Sequence, residues 1–242
     1  MVAAPVAEPA VLDVRALARA FGRVRALDGV DFSLRRGDVL AVFGPNGAGK
    51  STLLRILAGI LRADRGEVML GGARFDRTDP AQRRRIGLIA HASLCYDFLT
   101  AAENLEFYAR LYGLADPRGA ARAALEAAGL ADRAGSLAVT MSRGLVQRLA
   151  IARALLHEPE LVLLDEPFTG LDQAAAATLR AELERLRERR RAVVLVTHNV
   201  EEGLGLATHV AIQVRGRFAE WGPRPADAAA FRARYAAAVA GG

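Results

Sequence analysis

The residues whose types and spacing could do chemistry cluster at Gly44, Pro45, Asn46, Gly47, Ala48, Gly49, Lys50, Ser51 and Thr52. GPNGAGKS fits the pattern G-x-x-x-x-G-K-[ST], in which glycines allow backbone conformations closed to other residues. The loop's N–H groups, with the start of the helix that follows, suit a phosphate chain. Lys50 reaches the β- and γ-phosphates, the Ser51 hydroxyl can join a Mg²⁺ shell, and Thr52 assists at an α-phosphate oxygen. Lys50 is the only lysine among 33 Lys+Arg. Arginine serves wherever charge alone is needed, and the loop keeps the compact ammonium that a phosphate cradle admits. Downstream, LVLLDEP at 161–167 ends an apolar run in Asp165, a carboxylate able to hold Mg²⁺ through water, and Glu166, able to orient and polarise an attacking water. His198 closes VVLVTH, where it can hydrogen-bond a γ-phosphate and the water. Together these types suit transfer of a phosphoryl group to water.

Such residues need strand ends to carry them. Val39–Phe43 and the runs 86–90, 161–164 and 192–196 are short and apolar, as buried parallel strands are. Helical patterns at 50–58, 173–190 and 199–206 lie between them, which predicts an α/β fold with a mostly parallel sheet. Earlier, 11–15 and 30–34 read as strands, and Gly71–Gly72 joins 67–70 to 73–75 in a hairpin, an antiparallel β part before the core. Residues 100–157 break the alternation: AENLEFYARLYG, PRGAARAALEAAG and RGLVQRLAIARALL are consecutive amphipathic helices, an inserted all-helical lobe. A second hairpin is expected at His209–Val214 and 217–221, then an Ala/Arg helix near 225–239 without an evident partner.

Composition bounds the rest. At 242 residues and 52% hydrophobic the chain can bury a sizeable core. No apolar stretch approaches the roughly 18–20 residues that span a bilayer, and MVAAPVAEPA has no basic start for a signal peptide, so a cytosolic or peripheral chain is expected. One cysteine, Cys95, cannot make an internal disulfide. The net charge of +6 invites nucleic acid, but arginines scattered among acids argue against it, and a phosphate ligand and an inner membrane surface suffice.

MSRGLVQR at 141–148 resembles the LSGGQxQR signature of ABC-type ATPases, in its place between the loop and LLDEP. With GPNGAGKST, LLDEPFTGLD and VTH, the resemblance covers about nine-tenths of the chain. It implies a P-loop ATPase domain at 11–222, with the core at 11–91 and 159–222 and the helical lobe at 92–158; outside it, the Ala/Pro composition of 1–10 reads as a disordered tail and 223–242 as a C-terminal helix and tail. It implies ATP with Mg²⁺, held in pairs in a head-to-tail homodimer by one subunit's loop and by Ser142 and Gly144 of the other. Phe21 resembles the aromatic that stacks on adenine, and Asp172 in TGLD the residue coupling the two sites. His91 stands where a glutamine usually senses Mg²⁺ and the permease, which makes it a catalytic and metal-site candidate. Arg143 and Leu145 replace the signature's glycine and glutamine.

Those departures, with IAHASLCYDFLTAAENLEFYARLYG and SRGLVQRLAIARALLHEPEL, look like the haem-exporter ATPase subunit of cytochrome c maturation. That resemblance implies a peripheral protein on the cytoplasmic face of the membrane, a permease in a separate chain, and haem as the indirect substrate. Another exporter ATPase, for a drug, lipid or polysaccharide, would share the same engine. A soluble ABC ATPase acting on DNA or the ribosome would usually carry two ATPase units or a long coiled coil, and this chain has neither.

Overall fold

A computed structural model describes residues 9–90, 92–169, 171 and 173–241. Two sheets face each other across one core. The first, in order β2-β1-β4-β5, is antiparallel: β1 (Leu12–Phe21), β2 (Val24–Leu34), β4 (Arg65–Leu70) and β5 (Ala73–Arg74). The second has the order β10-β9-β3-β8-β7-β6. Its β3 (Val39–Phe43), β6 (Ile86–Ile89), β7 (Leu161–Asp165), β8 (Ala192–Thr197) and β9 (His209–Val214) run parallel, and β10 (Arg217–Pro223) pairs antiparallel with β9.

The central strands are apolar up to their C-terminal ends, where Asp165 closes β7 and Thr197 closes β8, because both faces are covered. Leu161 and Leu163 of β7, with Val194 and Val196 of β8, point into the core shared with the antiparallel sheet and α1 (Lys50–Leu57). The alternate residues Val162, Leu164, Val193 and Leu195 point to the other face, against α6 (Gln173–Glu188) through Leu179, Leu183 and Leu186. Between β6 and β7 come α3 (Ala101–Leu111), α4 (Pro117–Ala127) and α5 (Arg143–Leu155), which enclose a cluster of their own around Leu105, Leu125, Leu130 and Leu149. Thr100 and Glu103 cap α3 reciprocally, and Asp116 caps α4 with Pro117 at its first position.

The short α2 (Pro80–Arg83) buries none of its residues, and apolar patterning gave no sign of it. The first two strands run further than expected. Their alternation breaks where β1 shifts register between Val14 and Leu17, with Ala16 at φ 47, so a bulge carries a helix-like LARA sequence onward as strand. After α7 (Val200–Leu206), the C-terminal α8 (Ala228–Ala240) finds its partner through Phe231, which is fully buried edge-on against Phe43 at 5.3 Å. Among the described residues no helix is long and apolar enough to cross a membrane.

Candidate functional site

Parallel register brings the strand ends together. Phe43 pairs with Thr197 and Ile212, and Asp165 with Val196, so the segments after β3, β7 and β8 emerge along one edge of the sheet. The loop after β3 turns through Gly47 (φ 80) and Gly49 (φ 102) into α1. Close approach explains two of its glycines. A Cβ on Gly44 would lie 2.2 Å from the Gln213 carbonyl oxygen, and one on Gly49 would lie 2.0 Å from that of Ala26. The α1 N-terminus has neither a side-chain cap nor an acidic residue in its first turn, which leaves its N–H groups for an anion.

Lys50 is buried, and its Nζ donates to the carbonyls of Gly44 (2.7 Å) and Pro45 (3.0 Å). Burial lowers its pKa, while Glu166 and Asp165 act in the opposite sense. The Ser51 hydroxyl donates to Asp165 Oδ1 at 3.2 Å, which unites an oxygen from the loop with one from β7. Glu166 sits in the left-handed region (φ 49), and its backbone N–H is anchored on Val196 O. Its Oε2 lies 2.9 Å from His198 Nδ1 and accepts the His198 backbone N–H at 3.3 Å. The fold thus brings Asp165, Glu166, Lys50, Ser51 and His198 together at one edge of the sheet.

Ser142 caps α5, its Oγ accepting the Leu145 N–H at 3.4 Å, and it is exposed. Among the described residues no hydrogen bond joins Ser142 or Gly144 to the loop of the same chain. Instead Met141, Arg143 and Gln147 share a cavity of about 330 Å³ with Ala90, Ser93, Glu166 and Pro167. Gln147 Nε2 donates to Pro167 O at 3.3 Å. That contact ties α5 to the segment after Glu166 across 20 residues of sequence, a separation at which no local pattern signals a contact. A larger cavity, about 400 Å³ between α4, α5 and α6, touches none of these residues. Phe21 ends β1 half-exposed, with the Arg19 guanidinium 4.9 Å above its ring. It pairs with Val24, two residues from the Ala26 that backs the loop. His91 and Asp172, expected at this site, lie outside the described residues.

The site fits a nucleotide triphosphate with Mg²⁺ on its own chemistry. The described residues hold no group of three or more His, Cys, Asp or Glu that could cage a metal. One hydroxyl and one carboxylate beside a phosphate-binding loop instead match an ion that keeps its waters and shares phosphate oxygens.

A family model described as ABC transporter matches residues 27–169. The linearmycin resistance ATP-binding protein of Bacillus subtilis is 33% identical over 85% of this chain and 67% of its own length. The aliphatic sulfonates import ATP-binding protein of Nocardia farcinica is 38% identical over 92% of this chain and 87% of its own. The molybdenum import ATP-binding protein of Mycobacterium tuberculosis is 41% identical over 90% of this chain, which spans 62% of that relative's length. Among solved structures, an ATP-binding subunit of an ABC transporter superimposes with a TM-score of 0.84 at 28% identity, over 93% of this chain and 99% of that one. A dimeric ATP-binding cassette in a post-hydrolysis state with ADP and Pi gives 0.80 at 25%, over 89% of this chain and 100% of that one. ATP with Mg²⁺ is the ligand of this family's ATP-binding domain. The chain belongs to the ABC transporter family and folds as its ATP-binding cassette.

Proposed function

We propose that this chain is the ATP-hydrolysing subunit of a membrane transporter, acting as a head-to-tail pair on a permease in a separate chain. The observation that carries the reading is the meeting of Ser51–Asp165 and Glu166–His198 beside Lys50. Bound ATP–Mg²⁺ supplies the phosphoryl group that passes to water. Lys50 and the loop N–H groups bind the phosphates, and Ser51 and Asp165 hold the metal. Glu166 accepts from and orients the water, and His198 fixes the Glu166 carboxylate. The backbone of Glu166 itself is left-handed, a strain typical of functional positions. Phe21 stacks on the adenine, and Asp172 and His91 serve the site as their motif positions imply.

Pairing follows from the signature. Among the described residues Ser142, the N-cap of α5, makes no hydrogen bond to the phosphate loop of its own chain, and on this reading a second copy completes each site. The segment 92–99 is the permease contact on this reading, at the cytoplasmic face of the membrane. Leu94, Tyr96 and Phe98 are exposed there, and the buried Asn104 pins the Tyr96 backbone through both its N–H and its carbonyl. The haem-export reading rests on the resemblance at 89–113 and 142–172. The relatives named for molybdenum and sulfonate import and for linearmycin resistance supply no support for it. Stimulation of the ATPase–permease complex by haem would favour it over another exporter.

The test of the engine is Glu166→Gln, which should still bind ATP–Mg²⁺ and lose hydrolysis roughly 10²–10⁴-fold, the range for a positioned base. Lys50→Ala should fail to bind. Turnover by Glu166→Gln at the wild-type rate would overturn the assignment.

A further inference from the structure

Gln213 is a polar residue where the fold calls for an apolar one. Its neighbours on β9, Val210, Ala211 and Ile212, are buried and packed in apolar clusters, and Gln213 is itself fully buried. Among the described residues neither its Nε2 nor its Oε1 has a hydrogen-bond partner. A buried amide without partners destabilises a fold, and leucine or methionine would fill a similar volume without that cost. Such a group calls for a reason, and functional sites are where local rules are broken.

The reason lies immediately in front of it. Ile212 pairs with Phe43, which puts Gln213 directly behind Gly44. A Cβ on Gly44 would strike the Gln213 carbonyl oxygen, and one on Gly49 would come within 2.9 Å of Gln213 Nε2. Among the described residues the rear of the loop is otherwise wired by backbone: the Gly216 N–H donates to Ala48 O at 3.0 Å, and the Asp28 N–H donates to Gly216 O at 2.9 Å. On its inner side Lys50 spends two of its three N–H groups on Gly44 O and Pro45 O. Serving both a β- and a γ-phosphate oxygen takes two, which leaves one N–H for two carbonyls. One loop carbonyl must then find another donor or stay unpaired.

We propose that Gln213 is a positioning residue for nucleotide binding, whose Nε2 takes up a loop carbonyl that Lys50 releases when it turns to the phosphates. The inference rests on the nucleotide reading above. It makes the amide a cost to the empty protein and a gain to the loaded one, so one substitution should move stability and affinity in opposite directions.

Gln213→Leu tests this, with Gln213→Met as a second variant of unbranched shape. Thermal melting without nucleotide should rise by about 2–4 °C, the effect of relieving one orphaned amide in a chain of this size. Affinity for ATP–Mg²⁺, measured with the intact chain by titration calorimetry, should fall roughly three- to tenfold, the worth of one hydrogen bond. A role in packing alone would move the melting temperature and leave affinity untouched, and that result overturns the proposal. So does a variant that loses both stability and affinity, or failure of both variants to fold. Wild-type protein that binds no ATP–Mg²⁺ would sink the nucleotide reading itself, whereas tight wild-type binding matched by Gln213→Leu sinks only the role of Gln213.

Discussion

Acidification should weaken this fold through His157 in a way that can be isolated. The imidazole is buried at the end of α5, stacked on Tyr112 with centroids 3.8 Å apart. Its Nε2 lies 3.2 Å from Ile86 O, and since a carbonyl only accepts, Nε2 carries the proton. Nδ1 is then bare and buried without a partner among the described residues. Protonation there would bury a cation near Arg84 and Arg153. Burial accordingly lowers the His157 pKa from 6.5 to about 4, with the two arginines adding to the shift and the Ile86 contact opposing it. The folded pKa is depressed, so between these values the unfolded chain binds more protons, and stability falls as pH falls. Linkage gives a loss of about 1 kcal/mol near pH 6, about 2 near pH 5 and about 3 near pH 4. Carboxylates held low by hydrogen bonds, among them Asp64 and Glu103, also titrate at the acid end. The informative quantity is therefore the difference between wild type and His157→Gln, which can still donate to Ile86 O but cannot titrate. Urea unfolding from pH 7.5 to 4 should show the gap between the two closing or reversing by about 2–3 kcal/mol. A gap independent of pH would refute the reasoning.

Phe231→Ala should cost roughly 3–5 kcal/mol in urea unfolding, because a fully buried ring against Phe43 is lost; a loss under about 1 kcal/mol would mean that α8 is not docked there. Gly49→Ala should destabilise well beyond Gly47→Ala. Both have positive φ, worth roughly 1–2 kcal/mol, but only the Gly49 Cβ meets a backbone oxygen, and equal melting temperatures would contradict that contact. Glu166→Gln with ATP–Mg²⁺ should sediment as a dimer and the nucleotide-free protein as a monomer; a monomer at saturating ATP–Mg²⁺ counts against the shared site.

What the sequence disclosed follows from where constraint was local. β3 is legible to the residue because both its faces are buried and a glycine ends it. The loop is legible because backbone freedom at Gly49 and a lone lysine are matters of residue type. β1 was legible only to its bulge, since beyond Val14 the alternation fails and packing overrides the helix propensity of LARA. The partner of α8 was invisible because one phenylalanine in an Ala/Arg run says nothing about which strand it will meet.

At the site the same division separates motif from geometry. Asp165 and Glu166 are neighbours in sequence, yet one turns to Ser51 and the other to His198. Only the parallel register of β3, β7 and β8 makes both contacts possible. Gln147 and Gln213 belong to the long-range class entirely. Each acts on a backbone segment 20 residues or more away, Gln147 on Pro167 and Gln213 on the loop at Gly44, and nothing in HVAIQVRG sets its glutamine apart from a solvent-facing strand residue. Burial distinguishes it. The fold shelters this side chain completely, directly behind Gly44 and without a partner among the described residues, and on the proposal above it ties the stability of the empty domain to the affinity of the filled one. A sequence pattern carries no record of such a coupling, because its two terms belong to different states of the same residues.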